Sequence, residues 1–250
     1  MEPPASTPPA SAGRRLTMLV TVTALLTVTG LVAEALTPQR RDPSPSVSVI
    51  PAALAAARPQ PGTDLAVPAA LTEEGLDLRN GPVAVPLELQ MPSLGVNAPV
   101  VGVGITPNQV MDAPMGPAND PVWQQAFWYR GSAVPGELST ALIAGHVSGL
   151  GRPGVFAHLD RLHPGDLIIV RDTRNGLDVR FSVSDSRTYP LDQVTDPAVL
   201  QQIYGAGPVA GTSPQPSADG LSHLTLITCA GTFRNGTHDQ RRVVFATRIP

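Results

Sequence analysis

From about Gly81 to the C-terminus, short apolar and β-branched runs alternate with clusters of Gly, Pro, Asn, Asp and Ser. The runs are Val83 to Leu89, Ala98 to Val103, Ser139 to Ala144, Asp166 to Arg171, Val179 to Ser184, Leu221 to Cys229 and Arg242 to Thr247. Seven or eight short strands at this spacing predict an all-β domain, an antiparallel sandwich or a closed barrel. Helical candidates are few and short: Gly154 to Leu162 and Asp196 to Tyr204. No segment repeats.

The N-terminal third has a different texture. Residues 1–15 are a polar, proline-rich tail ending in Arg14-Arg15, and Leu16 to Ala33 then runs eighteen residues without a charge. That length is at the short end of what crosses a bilayer, and the paired arginines before it favour a tail on the cytoplasmic side. Residues 16–36 are read as a transmembrane signal anchor. A cleaved signal peptide, with Val32-Ala33-Glu34-Ala35 as the cleavage region, is the competing reading. Either way the bulk of the chain lies outside the cytoplasm. Residues 37–80 form a Pro/Ala-rich linker whose composition cannot bury enough surface to offset ordering entropy; its last part, Leu71 to Asn80, is a short helix or more linker. Residues 81–250 are the folded domain.

Composition narrows the chemistry. All 17 basic residues are arginine, so a lysine nucleophile or Schiff base is excluded, and no lysine side-chain amine is available as an acceptor. A net charge of −3 argues against nucleic acid as a partner. The single cysteine, Cys229, allows no intramolecular disulfide.

Cys229 ends the run Leu224 to Cys229, and Ala230-Gly231 breaks the strand behind it. A lone cysteine is often only a small buried hydrophobe, but two other segments change its meaning. In Thr140 to Gly151, TALIAGHVSGLG, a strand delivers His146 into a glycine-rich loop. In His238 to Ile249, HDQRRVVFATRI, Arg241 and Arg242 open a strand that pairs with the cysteine strand through a loop, Ala230 to Gln240. A Cys, a His and an Arg at neighbouring strand ends are a chemical set. A thiolate attacks an acyl carbon, an imidazole protonates the leaving amine, and a guanidinium donates hydrogen bonds to the developing oxyanion.

These residues resemble a known family. TLITC (Thr225 to Cys229), AGH (Ala144 to His146) and RRVVFAT (Arg241 to Thr247) are similar to the cysteine, histidine and arginine motifs of the sortases, membrane-anchored cysteine transpeptidases of Gram-positive bacteria. Pro135 to Asp166 and Met91 to Ile105 also resemble sortase segments, so the likeness covers roughly Gly81 to Pro250. The pattern GVFAHLDRLHPGD and the proline-rich, actinobacterial-type composition point to class F, with class E the nearest rival.

The resemblance implies a closed eight-stranded β-barrel with one or two short helices. It implies a thioester between Cys229 and the threonine of an LPXTG-like sorting signal on a secreted protein, resolved by an amine of a peptidoglycan precursor. By motif match Cys229 is the nucleophile, His146 the general acid/base, and Arg241, five residues before Ala246, the arginine. Strand alternation points Arg242 to the opposite face. No cofactor and no metal is expected, since one cysteine and scattered histidines lack ligand spacing. A thiol hydrolase on the same barrel and a non-enzymatic, wall-facing binding module are the alternatives.

The remaining features take plainer readings. His158, His163, His223 and His238 are structural or exposed, with no partner evident in the sequence. Trp123, Trp128 and Tyr129 are core residues. Pro208 to Asp219 reads as a mobile loop beside the substrate groove.

Overall fold

The computed structural model describes residues 78, 79, 81–106 and 111–250. The expected anchor (16–36) and the tail before it lie outside the described residues, as does the linker apart from residues 78 and 79. Among the described residues, no helix is long and apolar enough to cross a membrane.

The elements in chain order are β1 (Val83–Met91), β2 (Val96–Val103), β3 (Ala126–Tyr129), β4 (Thr140–Gly145), β5 (Ser148–Gly149), β6 (Arg152–Pro153), β7 (Leu167–Asp172), β8 (Asp178–Pro190), α1 (Leu191–Val194), α2 (Pro197–Tyr204), β9 (His223–Arg234) and β10 (Thr237–Ile249). Among the described residues, eight strands close into a barrel in the order β1-β2-β3-β4-β9-β10-β8-β7, and β5 and β6 form a separate small hairpin. The barrel is not wholly antiparallel: β2 pairs with β3, and β4 with β9, in parallel. Parallel neighbours need long crossovers: the β2–β3 connection packs outside the wall, and the β4–β9 connection carries β7 and β8 of the barrel itself before α1 and α2.

Alternation sorts the side chains into layers. Inward-facing residues, including Leu89, Trp128, Ile143, Phe181, Leu226 and Val244, fill the barrel. A second cluster, Tyr129, Leu142, Tyr189, Ile203 and Val243, lies outside the barrel wall, where Ile203 of α2 packs on it. A third, Val103, Val122, Trp123 and Phe127, includes residues of the β2–β3 crossover. The α2 helix starts where local chemistry dictates: Asp196 accepts from the backbone N–H groups of Ala198 and Val199, and Pro197 occupies the first turn.

Three expectations are corrected. Gly154 to Leu162 is not a helix but holds a single 3-10 turn, Leu159–Arg161. Its first amides bond elsewhere, Val155 N–H to the Trp123 carbonyl and Phe156 N–H to that of His146. The expected loop Ala230 to Gln240 is mostly ladder, reversing only at Asn235-Gly236. Both of those residues have positive φ, 51° and 82°, as a tight two-residue hairpin requires. Pro208 to Asp219 ties to the entry of β4 through Ser217 N–H to the Leu138 carbonyl and the Ser139 hydroxyl to the Gln215 carbonyl. That is the opposite end of β4 from His146.

Candidate active site

The β9–β10 register sets Cys229 directly across from Arg241 and Thr228 across from Arg242. Directly opposed residues of an antiparallel pair share a face. Leu224 and Leu226 point into the barrel, so by alternation Thr225, Ile227 and Cys229 face outward. Opposite them Val244 and Ala246 point in, and Arg241, Val243 and Phe245 face out. Cys229 is half-buried. Just beyond it the ladder is irregular between His238 and Gln240, and Gly231 has φ +77° with the Asp239 carboxylate against its backbone, so a Cβ there would collide. The bulge bends the strand at the residue after Ala230.

The third residue arrives through β4. Its ladder with β9 runs from Thr140↔His223 to Ala144↔Ile227. The same offset, carried two residues on, sets His146 level with Cys229. The Thr228 hydroxyl extends the contact, donating to the Gly145 carbonyl at 2.7 Å from a buried position. Leu142 lies in an outer cluster, so the alternation that turns it outward turns His146 outward too. Cys229, His146 and Arg241 thus occupy one end of one outer face.

The His146 ring is held on several sides. Its Nε2 lies 2.8 Å from the Pro114 carbonyl oxygen, its centroid 4.7 Å from that of Trp123 and 5.3 Å from that of Phe127. The Arg241 guanidinium donates to the carbonyls of Gln240, at 2.8 Å, and His238, at 3.3 Å. Arg242 donates to the Ser186 hydroxyl at 3.3 Å and lines a cleft of about 280 Å³ with Cys229, Thr228, Asp160, Gln240 and Phe156. The two arginines therefore approach the thiol from different sides, Arg241 along the outer face and Arg242 from the inward-facing side of β10. Neither makes an ion pair among the described residues.

Sequence reasoning missed Pro114 and gave Trp123 only a packing role. Trp123 is buried, as that reading expects, but its ring also meets the histidine. Two of the other histidines gain partners: His223 lies 3.0 Å from the Asp219 carboxylate, whose pKa that hydrogen bond lowers, and the His238 ring packs against that of Phe233, tilted by 57°. Among the described residues, no three His, Cys, Asp or Glu side chains cluster as metal ligands would.

Known proteins can be set beside this geometry. No curated protein matches the chain. Among solved structures, it is similar to a pilus-related sortase C of Group B Streptococcus (17% identity, TM-score 0.43, 66% of each chain covered). It is also similar to sortase A from Corynebacterium diphtheriae (19%, 0.45, 68% of this chain and 62% of that one) and to sortase C-1 from Actinomyces oris (19%, 0.44, 66% and 73%). The chain spans just under two thirds of the length of the first two of these structures. Residues 89–249, more than half of the 250, match the family model of the sortase domain, and the chain belongs to the sortase family.

Proposed function

We propose that this protein is an extracytoplasmic cysteine transpeptidase, anchored by residues 16–36, that cleaves an LPXTG-like sorting signal on secreted proteins and transfers the acyl fragment to a peptidoglycan-precursor amine. The observation that supports the reading is the common outer face of Cys229, His146 and Arg241, from the β9–β10 register and from the β4–β9 register extended two residues to His146. In the first half-reaction the Cys229 thiolate attacks the threonine carbonyl carbon. Arg241 donates to the oxyanion, and His146 in its protonated form gives its proton to the leaving amine, which departs as the C–N bond breaks. The neutral imidazole then takes a proton from the incoming amine as that amine attacks the thioester, and the thiolate leaves. The pattern GVFAHLDRLHPGD supports class F.

The test is mass spectrometry of the full-length protein incubated with LPXTG-like peptides, with and without an added amine. An acyl adduct on Cys229, cleaved after threonine and released onto the amine, is the expected result. Adduct that goes only to water, whatever amine is supplied, would favour the thiol hydrolase. A folded protein with a reactive thiol and no adduct would overturn the enzymatic reading.

A further inference from the structure

The transpeptidase reading uses His146 but leaves open which of its ring nitrogens moves the proton and what aims the ring. A carbonyl oxygen only accepts, so the 2.8 Å contact between Nε2 and the Pro114 carbonyl requires a hydrogen on Nε2. Nδ1 is then the ring atom free to exchange a proton.

The ring is clamped by a deliberate piece of local structure. Asp120 accepts from the Val122 N–H at 2.9 Å and opens the turn Pro121–Gln124, with Pro121 in its first position. That turn presents Trp123. The indole is fixed in turn, with its Nε1 donating to the Pro117 carbonyl at 2.8 Å and the Trp123 carbonyl accepting from Val155 N–H. The ring also lies so close to Gly149 that a Cβ there would strike it. Trp123 therefore meets the histidine loop at two points, at the His146 ring, tilted 54°, and at Gly149 three residues on. Phe127 closes the other wall edge-on, at 75°. His146 itself sits at a strand end among Gly145, Gly149 and Gly151, where the backbone alone restrains a side chain poorly.

We infer that Trp123 is a positioning residue for His146: with the Pro114 carbonyl it holds the imidazole as the Nε2–H tautomer, so that Nδ1 is the nitrogen that exchanges protons with the substrate amines. The catalytic consequence rests on the transpeptidase reading; the clamp does not.

The experiment has two arms on the full-length protein. In the first, long-range 1H–15N correlation spectra, assigned through His146→Gln, report the ring tautomer at a pH where the imidazole is neutral. The expected pattern is Nε2–H in the wild type and in Trp123→Phe, which keeps an aromatic face, and averaged tautomers in Trp123→Leu. In the second, turnover of an LPXTG-like peptide is measured per folded molecule. Loss of orientation predicts a fall in kcat of about 10- to 100-fold for Trp123→Leu with KM changed less than about threefold, and recovery of most of kcat in Trp123→Phe. A Trp123→Leu protein that keeps Nε2–H overturns the inference whatever its turnover. A tautomer that responds as expected in a protein without turnover overturns the transpeptidase reading instead.

Discussion

Strands β1, β7 and β8 make one side of the barrel, and β3, β4, β9 and β10 the other. On β7 the residues alternate strictly between buried and half-exposed, one face toward the core and one toward water. On β3 every residue is buried, and on β4 all but one, because α2 and the β2–β3 crossover add a second layer outside. Charge follows the same division. On the first side two arginines are paired with carboxylates, Arg171 with Asp178 and Arg174 with Asp172, each at 2.7 Å. On the second side, Arg241 and Arg242 donate only to carbonyls and a hydroxyl. The second layer covers β3 and β4, while β9 is half-exposed at Cys229 and exposed beyond Ala230, and guanidinium groups without a carboxylate keep their field for whatever charge develops near the thiol. The covered side carries the candidate site at one rim.

The sharpest way to break this division is to strike each side once. Cys229→Ala and His146→Ala should each lower peptide turnover about 10⁴-fold or more, with thermal midpoints within about 4 °C of wild type, read by calorimetry. Phe181→Ala, in the fully buried β8 core, should do the reverse. It should cost about 3–5 kcal/mol of stability, while kcat per folded molecule stays within about twofold. If Phe181→Ala cuts kcat as deeply as it cuts stability, the two sides are not separable.

The same contrast explains what could be read from the sequence. β7 and β8 were legible because burying a single face imposes a period of two. β3 was not: a strand buried on both faces, Ala126-Phe127-Trp128-Tyr129, has no alternation to detect. The shared strand end of Cys229 and Arg241 was legible because the spacing of the two strands foretold their pairing. The length of the β9–β10 hairpin was hidden, since Thr232, Phe233 and Arg234 are exposed and carry no apolar pattern. The contact of His146 with Pro114 spans 32 residues and involves a carbonyl, which no side-chain pattern encodes.

A medium effect sharpens the assignment at the rim. Arg241 shares the thiol's face by cross-strand register, whereas Arg242 reaches the thiol only through the cleft. Arg241→Ala should reduce kcat/KM about 100-fold, the scale of one lost oxyanion donor, and Arg242→Ala no more than about threefold. Steady-state kinetics showing the opposite ranking would transfer the role to Arg242 and move the oxyanion from the outer face to the cleft.

The smallest effect belongs to the far side. Asp172 is fully buried and accepts from the backbone N–H and the Nε of Arg174 through one oxygen and from its Nη2 through the other. The Arg174 side-chain hydrogen bond holds the Asp172 carboxyl below its usual range, against the opposing effect of burial. A depressed folded pKa means that the carboxylate's contribution is present in full above the unfolded value, about 4, and fades as pH falls through the folded value. Asp172→Asn keeps an acceptor for the turn but removes the charge that faces the guanidinium, so it should cost about 1–2 kcal/mol at pH 7 and leave turnover unchanged. Denaturant titrations at pH 7, 5 and 3 should show the gap between wild type and Asp172→Asn steady over the first interval and closing over the second. Asp178 titrates in both proteins and drops out of the difference. A gap of the same size at pH 3 would mean that turn geometry, rather than the Arg174 charge, is what Asp172 contributes. The Arg174 guanidinium would then add nothing at this turn beyond the hydrogen bonds it donates.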